Sequence, residues 1–281
     1  MQERPRKDVS DQYSWWCPQC KGRKTIRTGS FFEKSKLSLK KWLLIIHFWS
    51  RQLPVTDAEL QLEISRSTAI DIYQWLREVC WTKLLATPIV LGGPGTVVEI
   101  DESVFNHKPK VKLSVYPWCI WWRYNNIIFQ YHRGRAPANE TWVFGMVDSS
   151  KTPALGFMQI VSSRDAATLL PIIAAHVAPG TQVHSDQWSA YNRVGSLPGI
   201  AGHSTVNHSL HFVDPVTGTH TQHIESYWNR VKVKLKRMRG CHADQAPSYL
   251  DEFMWRERYG CDSFMCFYNI LRHIAEQYPV P

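Results

Sequence analysis

The sequence predicts an α/β protein, a mixed sheet with flanking helices preceded by a small helical unit of helix-turn-helix form. Three observations carry that prediction. Between residues 38 and 79, apolar side chains recur at helical spacing in three runs separated by turn signals. A Gly/Pro break, LGGPGT (91–96), then ends the helical texture. Beyond it, β-rich runs alternate with helical ones, the pattern of helices layered on a sheet. The 281 residues, 44% hydrophobic and 20% charged, exclude a wholly disordered chain and suffice for about two domains.

The elements follow in order. Residues 1–36 form a basic N-terminal segment containing Trp16-Cys17-Pro18-Gln19-Cys20. Residues 37–91 form the helical unit. In it, 38–51 (SLKKWLLIIHFWSR) place Leu39, Trp42, Leu43, Ile46 and Trp49 on one helix face, and Pro54 stops that helix. Thr56-Asp57-Ala58-Glu59 has capping-box form, so Leu60 and Ile64 belong to a short second helix. Ser65-Arg66-Ser67-Thr68 makes a turn and a new N-terminus, followed by the apolar stripe Ala69, Ile72, Tyr73, Leu76 and Val79. Helix, short helix, tight turn and third helix are the parts of a helix-turn-helix, and an ordinary three-helix bundle is the other reading. Arg66, Ser67, Thr68, Asp71 and Gln74 would face outward on the third helix, polar groups suited to base edges and phosphates.

Residues 92–281 form the α/β part. Strands are predicted at 97–105 (VVEIDESVF), 142–148 (WVFGMVD) and 157–161 (FMQIV), then a helix at 165–177 despite Pro171. A short strand at 182–185 leads to Asp186, another lies at 205–208, and a long helix spans 219–238 with Thr219 and Gln222 in capping-box positions.

Charge and composition narrow the function. Lys and Arg number 33 against 24 acids, a net charge of +9, which favours a polyanionic partner. The basic residues concentrate in two blocks. One runs through Lys21, Arg23, Lys24, Arg27, Lys34, Lys36, Lys40 and Lys41, and the other through Arg230, Lys232, Lys234, Lys236, Arg237 and Arg239. They read as two contact surfaces on one extended ligand, or as two solvated faces. The longest apolar run, 116–122, is far short of the ~20 residues a membrane helix needs, so no membrane association is expected. The N-terminus lacks the apolar core of a secretory signal, and the seven cysteines are expected as reduced thiols.

Three acids stand out by position. Asp101 ends an apolar run (Val97, Val98, Ile100), Asp186 ends a second strand, and Glu225 lies early in the long helix. Acids at neighbouring strand ends, with a third on a packed helix, can converge, and a hard divalent cation relieves their repulsion. Two such ions ~4 Å apart suit in-line phosphoryl displacement. Asp148, Glu99, Glu102 and Asp165 read as ordinary surface or capping groups.

The segments EIDESVF (99–105), YHRGRAPANETWVFGMVD (131–148), VHSDQWSAYNRV (183–194), GHSTVNHSLHFVDPVTGTHTQHIESYWNRVKVKLK (202–236) and EFMWRER (252–258) together resemble Merlin-type transposases and their bacterial insertion-sequence relatives. GSFFEKSKLSLKKW (29–42) and the helix-turn-helix extend the resemblance toward the N-terminus. It implies a ribonuclease-H-like fold with a D-D-E site made of Asp101, Asp186 and Glu225. Asp101 would bridge two Mg²⁺ (or Mn²⁺) ions, Asp186 would hold one and Glu225 the other. It also implies the chemistry. Water cuts at the transposon ends, and the freed 3′-hydroxyl attacks target DNA. The implied partners are double-stranded DNA, as terminal inverted repeats and as target, and further copies of the chain in a homodimer or larger synaptic assembly.

Other positions take roles within that resemblance. His203, Asn207, His208 and His220 lie near the third acid, and His220 is expected behind the metal ligands or against DNA. Lys232, Lys236 and Arg237, with Arg133 and Arg135 in HRGR, are expected to touch phosphates. A zinc cluster is the rival reading of the His pairs, since His208/His211 and His220/His223 are each three apart, although no cysteine lies beside them.

Two features depart from the family pattern. Cys17 and Cys20 look like the second knuckle of a zinc ribbon, but Zn²⁺ takes four ligands and no earlier CxxC precedes them. Either the ribbon is truncated or Met1 is not the natural start. Residues 111–130, with Trp118, Trp121 and Trp122, form an apparent insertion after the first strand. Two alternatives to an active transposase stay open: a domesticated or inactive relative that only binds DNA, and a nuclease without strand transfer. The expected location is the nucleus in a eukaryotic host, through KVKLKRMR (232–239), and the cytoplasm otherwise.

Overall fold

In the computed structural model of the chain, the described residues are 1–105, 141–208, 210, 212–238, 241, 244–279. The predicted insertion at 111–130, Arg133, Arg135, His211 and Arg239 lie outside them. The N-terminal segment forms a small antiparallel sheet of β1 (Gln2–Pro5), β2 (Tyr13–Trp16) and β3 (Arg23–Lys24). Arg27, counted above among the surface cations, is instead buried. Its Nε and Nη2 each lie 2.6 Å from the Asp11 carboxylate.

Three helices follow. α1 (Leu39–Ser50) is capped by Ser38, whose side chain accepts the Lys41 N–H. It buries Trp42, Ile45, Ile46 and Trp49. Leu43, predicted on that face, is 47% exposed because it lies about 100° around the helix from Trp42. α2 (Val55–Leu62) starts one residue before the expected capping box. Pro54 holds the N-cap position without a side-chain bond, and Ala58 and Leu62 carry the buried face while Leu60 is exposed. Glu63, in left-handed backbone, closes α2. Ser65 then caps α3 (Arg66–Ala86), accepting the Thr68 N–H at 3.1 Å. The predicted stripe of α3 is buried and continues through Cys80 and Leu84.

The larger sheet has five strands, β4 (Val97–Val104), β5 (Trp142–Asp148), β6 (Leu155–Val161), β7 (Thr181–Asp186) and β8 (Ile200–Val206), in the order β6-β5-β4-β7-β8. β6, β5 and β4 are antiparallel, while β4, β7 and β8 are parallel. β8 lies upstream of the expected 205–208 and ends at Val206. The polar, poorly alternating IAGHSTV is stitched to β7 along its length, so pairing overrides its weak strand signal. α4 (Ala166–His176) links β6 to β7 and is capped by Asp165, as expected.

α5 (Gln222–Arg237), α6 (Ala246–Tyr259) and α7 (Ser263–Gln277) complete the chain. α5 lies on β4 and β5, α6 on β6, and α6 and α7 pack against α3. Two glycines admit α5 to the sheet. A Cβ at Gly145 would collide with the Trp228 ring, and one at Gly156 with the Tyr227 ring. One apolar core runs from Trp42 of α1 through Ile100 and Phe144 to Ile274 of α7, so the helices before the 91–96 break and the strands after it share an interior. No helix among the described residues is long and apolar enough to cross a membrane.

A buried ion network joins the layers. Glu252 on α6 accepts from Arg256 at 2.7 Å and meets Lys234 of α5 at 2.9 Å. Arg256 also donates to the Trp49 and Ser50 carbonyls at the C-terminal end of α1, where a cation complements the helix dipole. Burial alone would raise the Glu252 carboxyl, but Lys234 and Arg256 outweigh it and hold the pKa at about 2.

Candidate active site

On β4 the residues 99, 101 and 103 share one face, since side chains alternate along a strand. That face meets α5 in three polar rungs. Glu99, 1% exposed, accepts the backbone N–H groups of His223 and Ile224 on Oε2, at 2.9 and 3.1 Å. Its Oε1 lies 2.5 Å from His223 Nδ1 and 3.2 Å from His220 Nδ1. Asp101 Oδ2 accepts the Trp228 indole N–H at 2.9 Å. Ser103 Oγ accepts from Lys232 Nζ at 2.5 Å.

Glu99 therefore caps α5 from another element. A carboxylate at a helix N-terminus satisfies open N–H groups and complements the helix dipole. The capping box expected at Thr219 and Gln222 does not form. Thr221 is the N-cap residue and makes no side-chain cap bond. Of the acids read as ordinary surface or capping groups, Glu99 is a cap but a buried one, and the surface reading is corrected for Glu102 and Asp148. Glu99 and Asp148 are buried, Asp148 accepting from Gly92 N–H and Ser150 N–H, and Glu102 accepts the Tyr191 hydroxyl at 2.5 Å.

Asp101 sits in the middle of β4 rather than at its end, with three strand residues beyond it. Parallel pairing of β4 to β7 stops at Glu99, paired with His184, so Asp101 lies just past the point where the two strands part. Asp186 is the last residue of β7, and its Oδ1 accepts the Trp188 N–H at 2.9 Å. Glu225 is exposed in the first turn of α5, between the Glu99 and Asp101 rungs.

The electrostatics link the three acids. Burial pushes the Asp101 carboxyl up to about 6. The Trp228 and backbone hydrogen bonds oppose this, and the charges of Asp186 and Glu225 add to it. Glu102, on the opposite face of β4, is pushed up to about 7 by burial. Tyr191 opposes, Asp101 and Asp186 reinforce, and Arg164 partly offsets. Sequence reasoning missed Glu102 as a fourth acid of this neighbourhood, because it alternates with core residues and carries no motif of its own.

The ligand atoms of Asp101, Asp186 and Glu225 do not close into one tight cluster. Among the described residues, Glu99, His220 and His223 form the one group whose ligand atoms all lie within 4.8 Å of one another. His220 and His223 thus meet as their spacing predicts, but around a carboxylate rather than cysteines. Of the remaining histidines, His208 Nε2 lies 2.8 Å from Thr221 Oγ1, and His203 Nε2 lies 2.8 Å from Ser185 Oγ, beside Asp186.

The expected DNA-contacting residues divide. Arg66 and Ser67 are exposed at the start of α3. Thr68 is half-buried with its hydroxyl 2.7 Å from that of Ser65, and Gln74 is bonded to Arg77 and Glu78 within its own helix. Lys236 and Arg237 are exposed. Lys232 turns to Ser103, while Arg230 and Lys234 pair with Glu257 and Glu252 of α6. The second basic block is therefore not one free surface. Its acids are supplied from a distant stretch of sequence. Cys17 and Cys20 adjoin, and hydrogen bonds from the Cys20 backbone and side chain hold the Cys17 thiol below its ordinary range. Among the described residues no third ligand joins them.

Residues 94–258, which include all three acids and more than half of the chain, match the ISXO2-like transposase domain family. The chain belongs to this family. An uncharacterized transposase-like protein of Haemophilus influenzae is 31% identical over 97 residues, which cover 34% of this chain and 76% of that protein. The ISXO2-like domain here begins just before β4 and ends within the last turn of α6, so it contains the three rungs and the Lys234, Glu252 and Arg256 side chains of the buried ion network. A solved cryo-EM structure of a simian T-cell lymphotropic virus intasome with PP2A regulatory subunit B56 gamma shows 12% identity. The match covers 75% of this chain and 67% of that one, at a TM-score of 0.33, too low to define a shared fold.

Proposed function

We propose that the protein is a DNA transposase of the Merlin type, with a ribonuclease-H-like domain that cuts transposon ends and joins them to target DNA. The observation that carries this reading is Asp101, a half-buried acid held by the Trp228 indole N–H and pushed up to about 6 with the charges of Asp186 and Glu225 on it, within a transposase family domain. The sheet order, with three antiparallel strands followed by two parallel ones, agrees with that fold assignment.

The donors fit divalent ions. They are all carboxylate oxygens, the class Mg²⁺ and Mn²⁺ take, and their mutual repulsion is the imbalance a cation removes. Asp101, Asp186 and Glu225 would hold the pair. When bound, such ions activate the attacking oxygen and stabilise the leaving one in phosphoryl transfer. The chain's own contributions follow from its rungs. Trp228 orients the Asp101 carboxylate, and Glu99, His220 and His223 hold the N-terminus of α5, and with it Glu225, against β4. Lys236 and Arg237 are available to phosphates, and the helices α1–α3 form a helix-turn-helix reader with Arg66 and Ser67 outward. Joining two ends requires a dimer or larger assembly on DNA.

The test uses the purified full chain and a duplex carrying the inverted termini that flank its coding DNA. Strand cleavage in Mg²⁺ or Mn²⁺, abolished by a chelator, is the expected result. Binding without cleavage under every metal condition would overturn the enzymatic reading and leave a protein that only holds DNA.

A further inference from the structure

Beside Asp186 lies an open surface cleft of about 500 Å³ that the site described above does not use. Ser163, Arg164, Asp165, Ala166, Trp188 and Ser189 line it. Its volume falls in the range of small-molecule sites. The Arg164 guanidinium carbon lies 3.6 Å from the centroid of the Trp142 ring and 5.0 Å from that of Trp188. Among the described residues Arg164 makes no salt bridge, and its charge is met by the two aromatic faces and, at longer range, by the Glu102 carboxylate. Trp188 is 40% exposed although it is anchored at both ends. Its backbone N–H is bound to Asp186 and its indole N–H to the Arg164 carbonyl at 3.1 Å.

We propose that this cleft is a nucleobase site, which takes an unpaired base of the DNA strand next to the bond being cut. The proposal rests on the DNA-processing reading above and extends it to a second contact. A base offers a π-face to stack on Trp188 and an edge with donors and acceptors for Asp165, Ser163 and Ser189. A phosphate is disfavoured there, because the Asp165 carboxylate that caps α4 lines the same cleft. Stacking on an aromatic ring is sequence-tolerant, and Arg164 adds a cation toward the strand. The attachment of Trp188 to Asp186 places the stacked base beside the acids.

The test compares two single strands with the same phosphates, about a dozen deoxythymidines and the matching abasic oligonucleotide, by fluorescence anisotropy with the full chain. Wild type should prefer the strand with bases. Trp188→Ala should cut that preference on the order of tenfold while leaving abasic affinity unchanged, and Trp188→Phe should retain most of it. Arg164→Ala should lower affinity for both strands, and for the base-bearing one more. Equal loss for both strands in Trp188→Ala, or an unchanged preference, overturns the proposal. The two readings fail separately. End cleavage without base preference removes only the cleft, whereas base preference without end cleavage removes only the transposase reading.

Discussion

At the scale of single residues, Asp101 and Glu99 sit two positions apart on one strand face and do opposite things. Glu99 is fully partnered, and Asp101 is strained electrostatically. A folded pKa of about 6 against 3.8 means the folded state holds the Asp101 proton more tightly than the unfolded one. The effect is absent below 3.8. It costs stability as pH rises from there to about 6, and is complete above that, at about 3 kcal/mol without divalent ions. Asp101→Asn, which keeps an oxygen for the Trp228 N–H, should therefore stabilise the metal-free protein at pH 7 by up to that amount in urea unfolding. Mg²⁺ or Mn²⁺ should raise the melting temperature of wild type more than that of this variant. Glu99→Ala should do the reverse, costing about 1–3 kcal/mol by leaving buried N–H groups of α5 without an acceptor. Asp101, Asp186 and Glu225 stand out in the sequence because the first two end apolar runs and all three lie in family motifs, and their role as a site is the proposal made above. Glu99 does not, since nothing in sequence says that a helix more than a hundred residues later lacks its own cap.

At the scale of elements, α5 decides the geometry. It lies close on the sheet because β5 and β6 present Gly145 and Gly156 where the Trp228 and Tyr227 rings pass. Gly145 is also the β5 partner of Asp101, so one register position sets both the acid and the room for the ring that orients it. Gly145→Ala should force Trp228 off the sheet. We expect a loss of about 1–3 kcal/mol in stability and a greater loss of cleavage than an exposed substitution such as Ser196→Ala. Helices with capped starts and apolar stripes, α1 and α4, were readable to within a residue or two, as was the start of α3, although that helix runs seven residues past its predicted stripe to Ala86. α2, β8 and the start of α5 were not, because Pro54, the pairing of β8 with β7 and the Glu99 cap set their limits in place of local side-chain signals.

At the scale of the whole molecule, charge and core tell different parts of the story. The net +9 was read as two basic surfaces, yet Arg27, Arg230 and Lys234 are bound to acids far away in sequence. Lys236, Arg237, Arg66 and the exposed lysines of the first block remain for a polyanion, and affinity for DNA should fall steeply with salt. The Glu252 network ties the N-terminal helices to α5. With Glu252 held at about 2 against 4.5, its contribution is full above pH 4.5 and lost as pH falls through about 2. Glu252→Ala, which leaves Lys234 and Arg256 buried without their counter-charge, should cost about 3–5 kcal/mol in urea unfolding at pH 7. The central claim is the metal-holding role of three acids, and cleavage of inverted-terminus DNA by alanine and cysteine variants tests it most directly. Asp101→Ala, Asp186→Ala and Glu225→Ala should each bind the ends and fail to cut. The matching cysteine variants should regain cutting in Mn²⁺ but not Mg²⁺, since the softer thiolate suits the softer ion. Wild-type cutting by any one of the alanine variants would contradict the account.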